Sequence, residues 1–214
     1  MKKFLLVFIM CILSIFTVCS YLFKVKSNNI QDDMASRIIR FHVIANSDSK
    51  SDQALKLKVR DEILKYIQPK LKDCKNIEES RKVLMKNDKD VLKVARRVIS
   101  EQGYNYEVKS TLSKVNFPIK TYGNITLPQG RYEAYRVIIG KGRGQNWWCV
   151  MFPPLCFVDI TKGQVSYKKT EQEMKKVLTP EEYKMVNKNK FDISDKNNIK
   201  VRFKIIEVLN KLGI

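Results

Sequence analysis

From Phe4 to Phe23 the chain runs 20 residues without a charge, directly behind Lys2 and Lys3. A helix of that length spans about 30 Å, the thickness of a bilayer's hydrocarbon core. A helix that is apolar on every side does not sit on the surface of a soluble domain. Residues 1–23 therefore read as a signal peptide or membrane anchor, and the remainder of the chain as an exported domain. Cleavage requires small residues before the cut, and Val18-Cys19-Ser20 matches that rule poorly. Phe16, Thr17 and Val18 do not make a lipobox for Cys19. The domain is expected to be either anchored or released.

Export changes what the charge means. Lys and Arg total 41 against 22 Asp and Glu, a formal net charge of +19. Such a surplus favours an anionic partner. Outside the cytosol that is an anionic membrane surface or wall polymer, and nucleic acid is not expected. The basic residues are also interleaved with acids along the whole chain, so a solvated surface accounts for them equally well. His42 is the one histidine, which excludes multi-histidine metal sites within one chain and leaves a single imidazole for any acid–base scheme. No C-x-x-C pair occurs, which argues against a zinc ribbon or a thioredoxin-type motif. No cofactor is implied.

The periodicities predict an α+β fold: an N-terminal strand and two helices, an antiparallel hairpin-rich sheet, and a helical C-terminal tail. Residues 24–36 read as a linker, 37–160 as the main domain and 161–214 as a basic, partly helical extension. Ile38 to Ala45 is rich in β-branched and aromatic residues and reads as a strand. Asn46-Ser47-Asp48-Ser49 is a turn, after which Ser51 is placed to cap a helix. Leu55, Val59, Ile63 and Ile67 recur every four residues along that helix, and Pro69 is expected to close it. Asn76 caps a second helix, with Glu79 in the capping-box position and Leu84, Val91, Ala95 and Val98 on its apolar face; Gly103 ends it. The period then changes to two over 104–116 and 131–140, with the loop residues Pro118, Gly123, Asn124, Pro128 and Gly130 between. Trp147 to Phe152 reads as a further strand, 170–188 as one helix and 199–212 as another.

Several groups of residues invite a chemical reading. His42, Ser47 and Asp48 are the residue types of a hydrolytic triad, although Ser47 lies in no G-x-S-x-G elbow and a strand histidine is usually packed. Gly140-Lys141-Gly142-Arg143-Gly144 superficially matches a dinucleotide fingerprint, but a strand follows it, so a hairpin loop is expected. Trp147 and Trp148 point to opposite faces of a strand, so one is free to serve as an exposed anchor. A hairpin centred on Phe152 and Pro153 would set Cys149 opposite Cys156, close enough for a disulfide. The competing reading makes Cys149 a nucleophile with His42 as its base. Lys56 and Arg60 share one helix face, as a solvated surface or a docking strip.

Ile39-Arg40-Phe41-His42-Val43-Ile44-Ala45-Asn46-Ser47-Asp48-Ser49, with Asp52-Gln53 and the stretch from Leu55 to Asp61, closely resembles the opening motif of the stage II sporulation protein R family. Asn146-Trp147-Trp148-Cys149-Val150 through Phe152-Pro153-Pro154-Leu155-Cys156-Phe157 resembles its second motif. The resemblance covers roughly residues 36 to 160; Lys50-Ser51 departs from the Pro-Glu of the family's turn, and the Lys-rich region after Asp159 is not covered. It implies a protein made in the forespore and exported into the space between the septal membranes. There it would trigger a membrane-embedded aspartic protease of the mother cell that removes the pro-sequence of sporulation sigma factor E. It implies a signal with no catalysis of its own. On this reading His42, Asn46, Ser47, Asp48, Lys56, Arg60, Trp147 and Trp148 are the candidate partner contacts, or else residues that hold another surface in place. The rival classes are an envelope hydrolase using Cys149 and His42, and a basic wall- or lipid-binding module.

Overall fold

The computed structural model describes residues 2–155 and 167–187. Its elements run α1 (Lys2–Ser36), β1 (Ile39–Ile44), α2 (Lys50–Leu71), α3 (Ile77–Glu101), β2 (Val108–Phe117), β3 (Lys120–Tyr122), β4 (Ile125–Leu127), β5 (Gly130–Ile139), β6 (Asn146–Phe152), α4 (Tyr167–Val177) and α5 (Pro180–Val186). The fold is mixed α and β, with a four-stranded sheet ordered β2-β5-β1-β6 and a small β3-β4 hairpin. The expected strand at 38–45 forms, and so do both helices after it.

The order of the sheet corrects one expectation. β5 and β6 are not hairpin partners, because β1 lies between them, parallel to β5 and antiparallel to β6. Residues 140–145 therefore cross over the C-terminal end of β1 and do not turn a hairpin.

Alternation along β1 separates two faces. Phe41 lies on the face packed by α2 and α3: it meets Tyr135 at 6.3 Å and Trp147 at 5.9 Å. On that side Arg81 of α3 forks onto Glu133, and Asp88 accepts from both Ser110 and Tyr135 at 2.6 Å. Arg40 and His42 lie on the opposite face, where β3 contributes Tyr122. The buried stripe of α2 (Leu55, Val59, Ile63, Ile67) and that of α3 (Leu84, Val91, Ala95, Val98) are those the spacing predicts.

Helix boundaries differ from the sequence expectation in four places. Ser49, not Ser51, caps α2: its Oγ accepts from the Asp52 N–H at 3.1 Å. Pro69 lies inside α2, because burial of Ile67 and Leu71 carries the last turn past it. Residues 24–36 are helical throughout, and the end of α1 is part of the body: Met34 and Ala35 are buried, and Gln31 Nε2 donates to the Gln129 carbonyl at 2.6 Å. The stretch from 170 to 188 is two helices, split where Thr179 and Glu182 form a capping box ahead of α5. Met174, Leu178 and Val186 join the core, and Arg37 pairs with Glu182 at 3.1 Å. The expected helix at 199–212 lies outside the described residues.

Gly123 and Asn124 turn the β3-β4 hairpin, where the sequence predicts only loop. Asn76 caps α3 as expected, accepting from the Glu79 N–H at 2.9 Å, while the Glu79 carboxylate reaches back to the Lys75 N–H. Gly103 follows the end of α3 with φ 78.

Candidate functional site

The residues singled out in the sequence converge where β1 ends, α2 begins and the 140–145 crossover passes above. Asp52, buried in the first turn of α2, accepts from Asn46 Nδ2 at 2.9 Å and from Ser47 Oγ at 2.5 Å. Burial alone would raise its pKa, but hydrogen bonds from Ser47, Asn46, Tyr106 and Ser49 outweigh that and hold the carboxyl below its usual range. Gln53 closes the turn by donating to the Ser47 carbonyl at 2.9 Å.

The crossover is tied to this turn along its length. Lys141 N–H donates to Asn46 Oδ1 at 3.0 Å and Gln145 N–H to Asp48 Oδ1 at 2.7 Å. Arg143 and Gly144 N–H groups donate to the Asn46 and Ala45 carbonyls at 3.2 and 2.9 Å. From below, Lys56 Nζ donates to the Gln145 carbonyl at 2.9 Å and to Gln53 Oε1 at 2.5 Å. Lys56 is buried, which corrects the expectation of a solvated face, and burial together with the neighbouring Arg60 lowers its pKa. Arg60 is also engaged: its guanidinium lies 4.7 Å from the Trp147 ring centroid and pairs with Asp61.

The side chains of Asn46, Ser47, Asp48, Lys56 and Arg60 thus bond within the fold, and they shape a basic loop whose exposed tips are Lys141 and Arg143. Asn46→Ala is expected to cost about 2 kcal/mol, since it strips partners from both Asp52 and the Lys141 amide. A urea titration followed by tryptophan fluorescence measures it, and an unchanged midpoint would contradict this account of the turn.

The tryptophans do point to opposite faces, but neither stands free. Trp147 packs edge-on against Phe41. Trp148 lies flat on the His42 ring at 4.8 Å and 3°, with Phe117 edge-on at 4.7 Å. His42 is 2% exposed, and neither ring nitrogen has a partner in hydrogen-bonding geometry. Desolvation, reinforced by Arg136 and Arg40 and opposed by Asn146, depresses its pKa from 6.5 to about 4. His42 is therefore a neutral, packed ring at pH 7.

These positions separate the hydrolytic groupings. Ser47 bonds Asp52, Asp48 bonds the Gln145 amide, and His42 lies on β1 against Trp148, so no triad is assembled. In the β1–β6 register Cys149 faces Phe41 while Trp148 faces His42. Side chains alternate along a strand, so Cys149 and His42 lie on opposite faces of the sheet and do not form a dyad. Cys149 is moreover disulfide-bonded. Cys11, Cys19 and Cys74 are free, and Cys156 lies outside the described residues. Among the described residues no group of three or more His, Cys, Asp or Glu is placed to hold a metal ion.

Sequence reasoning passed over Arg40. Its side chain is fully buried, with the guanidinium 4.4 Å from the Phe117 centroid and 4.8 Å from that of Tyr132, and Nη2 donates to Tyr122 Oη at 3.2 Å. Desolvation lowers its pKa, and the two tyrosines oppose that. Strand alternation marks Arg40 as sharing a face with His42, but the aromatic rings come from residues nearly 80 positions or more along the chain and leave no local signal.

The sequence model of the family described as stage II sporulation protein R matches residues 35–162, which hold both the turn and the crossover. Stage II sporulation protein R of Bacillus subtilis (strain 168) is 38% identical over 154 residues, covering 72% of this chain and 69% of that protein. No solved structure matches.

Proposed function

This chain belongs to the stage II sporulation protein R family, and on that premise we propose that it is an exported signal acting between the two cells of a sporangium. It crosses the forespore membrane, remains anchored or is released in the septal intermembrane space, and activates the mother cell's membrane-embedded aspartic protease. That protease then processes pro-sigma-E. Family membership across the folded body is the observation that carries the reading.

Two features support it. α1 is long and apolar enough to cross a membrane, and its side chains from Met10 to Leu22 are exposed, as suits a membrane anchor or a signal sequence. The residues a hydrolase would need are held apart: the Cys149 sulfur is in a disulfide and His42 lies on the other face of the sheet. This placement speaks against the Cys149/His42 hydrolase and supports a role of contact.

The test is co-expression with the protease and its pro-sigma substrate in a non-sporulating host, with and without this chain. Processing that needs the chain supports the proposal, and processing indifferent to it ends the proposal. Cys149→Ser refines the test. It is expected to leave processing within about threefold of wild type while lowering stability by roughly 2–3 kcal/mol through loss of the bridge, proposed to be with Cys156. Abolished processing with unchanged stability would instead make Cys149 a nucleophile. Peptide mapping without reductant identifies the bridge partner.

A further inference from the structure

We propose that the outer edge of β2 is the docking site for the partner, which adds an extended, acidic segment to the sheet as a further strand. The inference rests on the signalling role above and names the surface through which it acts.

β2 spans Val108–Phe117, ten residues, and forms one border of the sheet. The Gly140 N–H bonds to the Glu107 carbonyl, one step beyond the Val108–Ile139 pair. In an antiparallel ladder the inward and outward backbone groups alternate from residue to residue. Glu107 and the odd-numbered residues of β2 therefore bond β5, and Val108, Ser110, Leu112, Lys114 and Asn116 turn their backbone groups outward. Among the described residues no strand pairs with that side. A long open edge is an invitation to strand addition, which folded proteins ordinarily cover or shorten.

What flanks the edge indicates its occupant. Outside α1, the described residues leave three large apolar side chains exposed, and two of them border β2. Ile119 is 60% exposed and lies two residues past its end. Met85 is 65% exposed and lies on α3 between Arg81 and Asp88, the residues that tie this helix to β5 and β2. Lys109 and Lys114 are exposed along the strand, and exposed Arg131 sits opposite Asn116. Glu107 neutralises Lys109 in part, at 3.3 Å, and Asp32 and Glu133 share a cleft with Lys114 and Arg131, so the basic surplus of this border is partial. An extended peptide with acidic and apolar side chains complements this border. A second copy would bring another chain of net charge +19 against it.

The test uses the full chain in the co-expression assay. Lys114→Pro removes one outward N–H and leaves the ladder to β5 intact, since Pro is tolerated on a strand edge whose N–H faces outward. It is expected to lower processing by about tenfold or more, while Lys114→Ala, which loses the charge but keeps the N–H, lowers it by less than about threefold. Both variants should melt within a few degrees of the wild type. A second measurement covers the case in which Lys114→Pro fails to fold. In the detergent-solubilised wild-type chain, the amides of Ser110, Leu112, Lys114 and Asn116 should exchange rapidly, then become protected when the solubilised protease is added. Wild-type activity from Lys114→Pro, or amides that stay unprotected beside the protease, overturns the edge and leaves the signalling role standing. Amides already protected in a dimer of the chain alone overturn it in favour of a second copy. A wild-type chain that fails to drive processing removes the signalling role itself.

Discussion

Gly144→Ala is expected to destabilise the fold by about 4 kcal/mol, near the top of what single substitutions do. A Cβ at this position would meet the Ser47 carbonyl oxygen at 2.2 Å, its carbon at 2.6 Å and Ala45 Cβ at 2.9 Å. Two of these atoms are backbone and cannot swing aside. The crossover would have to lift, breaking the Gly144–Ala45 and Arg143–Asn46 backbone bonds and displacing Gln145 from Asp48 and Lys56. Gly142→Ala makes the control. It requires φ +59 of an alanine, and the added carbon meets the Ile138 Cγ2 methyl at 2.6 Å, a side-chain atom and not backbone, so a smaller loss of about 2 kcal/mol is expected. Trp147 and Trp148, the two tryptophans of the chain, flank the region and report unfolding in urea. Equal midpoints for the two variants would refute the claim that close approach, and not backbone freedom, fixes Gly144.

The second large effect is a dependence on pH. The folded pKa of His42 lies at about 4, below its ordinary 6.5, chiefly because burial excludes the charged ring. The groups facing the ring are Arg40, Arg136, Asn146, Phe117 and Trp148, and none offers it a counter-charge. Above the unfolded pKa both states hold the ring neutral, and His42 costs nothing. As the pH falls below 6.5 the unfolded chain takes up a proton that the folded chain refuses, so stability drops until the folded pKa is reached. At about 1.4 kcal/mol per pH unit, the descent to pH 4 removes about 3 kcal/mol. His42→Phe keeps a ring against Trp148 without the titration. Between pH 7 and pH 4 the wild type should lose about 3 kcal/mol more than this variant. Parallel stability curves would show that the ring is charged in the folded state.

Both effects depend on features that are unevenly legible in the sequence. α3 can be read in full because its signals are local: Asn76, Glu79, an apolar repeat and Gly103 all lie within or beside one helix. α2 is legible in its buried face and misleading at its ends, where Ile67 and Leu71 override the proline between them. The end of α1 has a linker's composition, yet Met34 finds the core, a decision made by tertiary contacts. The split between α4 and α5 is written locally, in Thr179-Pro180-Glu181-Glu182, and the expectation of one helix over 170–188 missed it.

The crossover is hidden for a different reason. Neighbouring strands in sequence usually pair, and the insertion of β1 between β5 and β6 rests on a parallel pairing some 95 residues apart. Once β1 is in place the glycines acquire their meaning: the loop must pass directly over the Asn46–Ser47 backbone, and side chains there would block it. The turn residues that the family resemblance marks are therefore largely explained as the clamp on that loop. The β2 edge carries no motif at all, because an open border is defined by which strand fails to arrive.

The unbroken course of α1 has a mechanical consequence. With no hinge between its apolar stretch and the buried Met34, the body cannot swivel independently while the helix stays attached. Each residue added to or removed from 24–33 would rotate the body about the helix axis by about 100° and shift it by about 1.5 Å. In a chain that stays anchored by α1, the bearing of the sheet relative to the lipid surface would be a matter of helical phase, and spacers of a whole number of turns would be tolerated where half-turns are not.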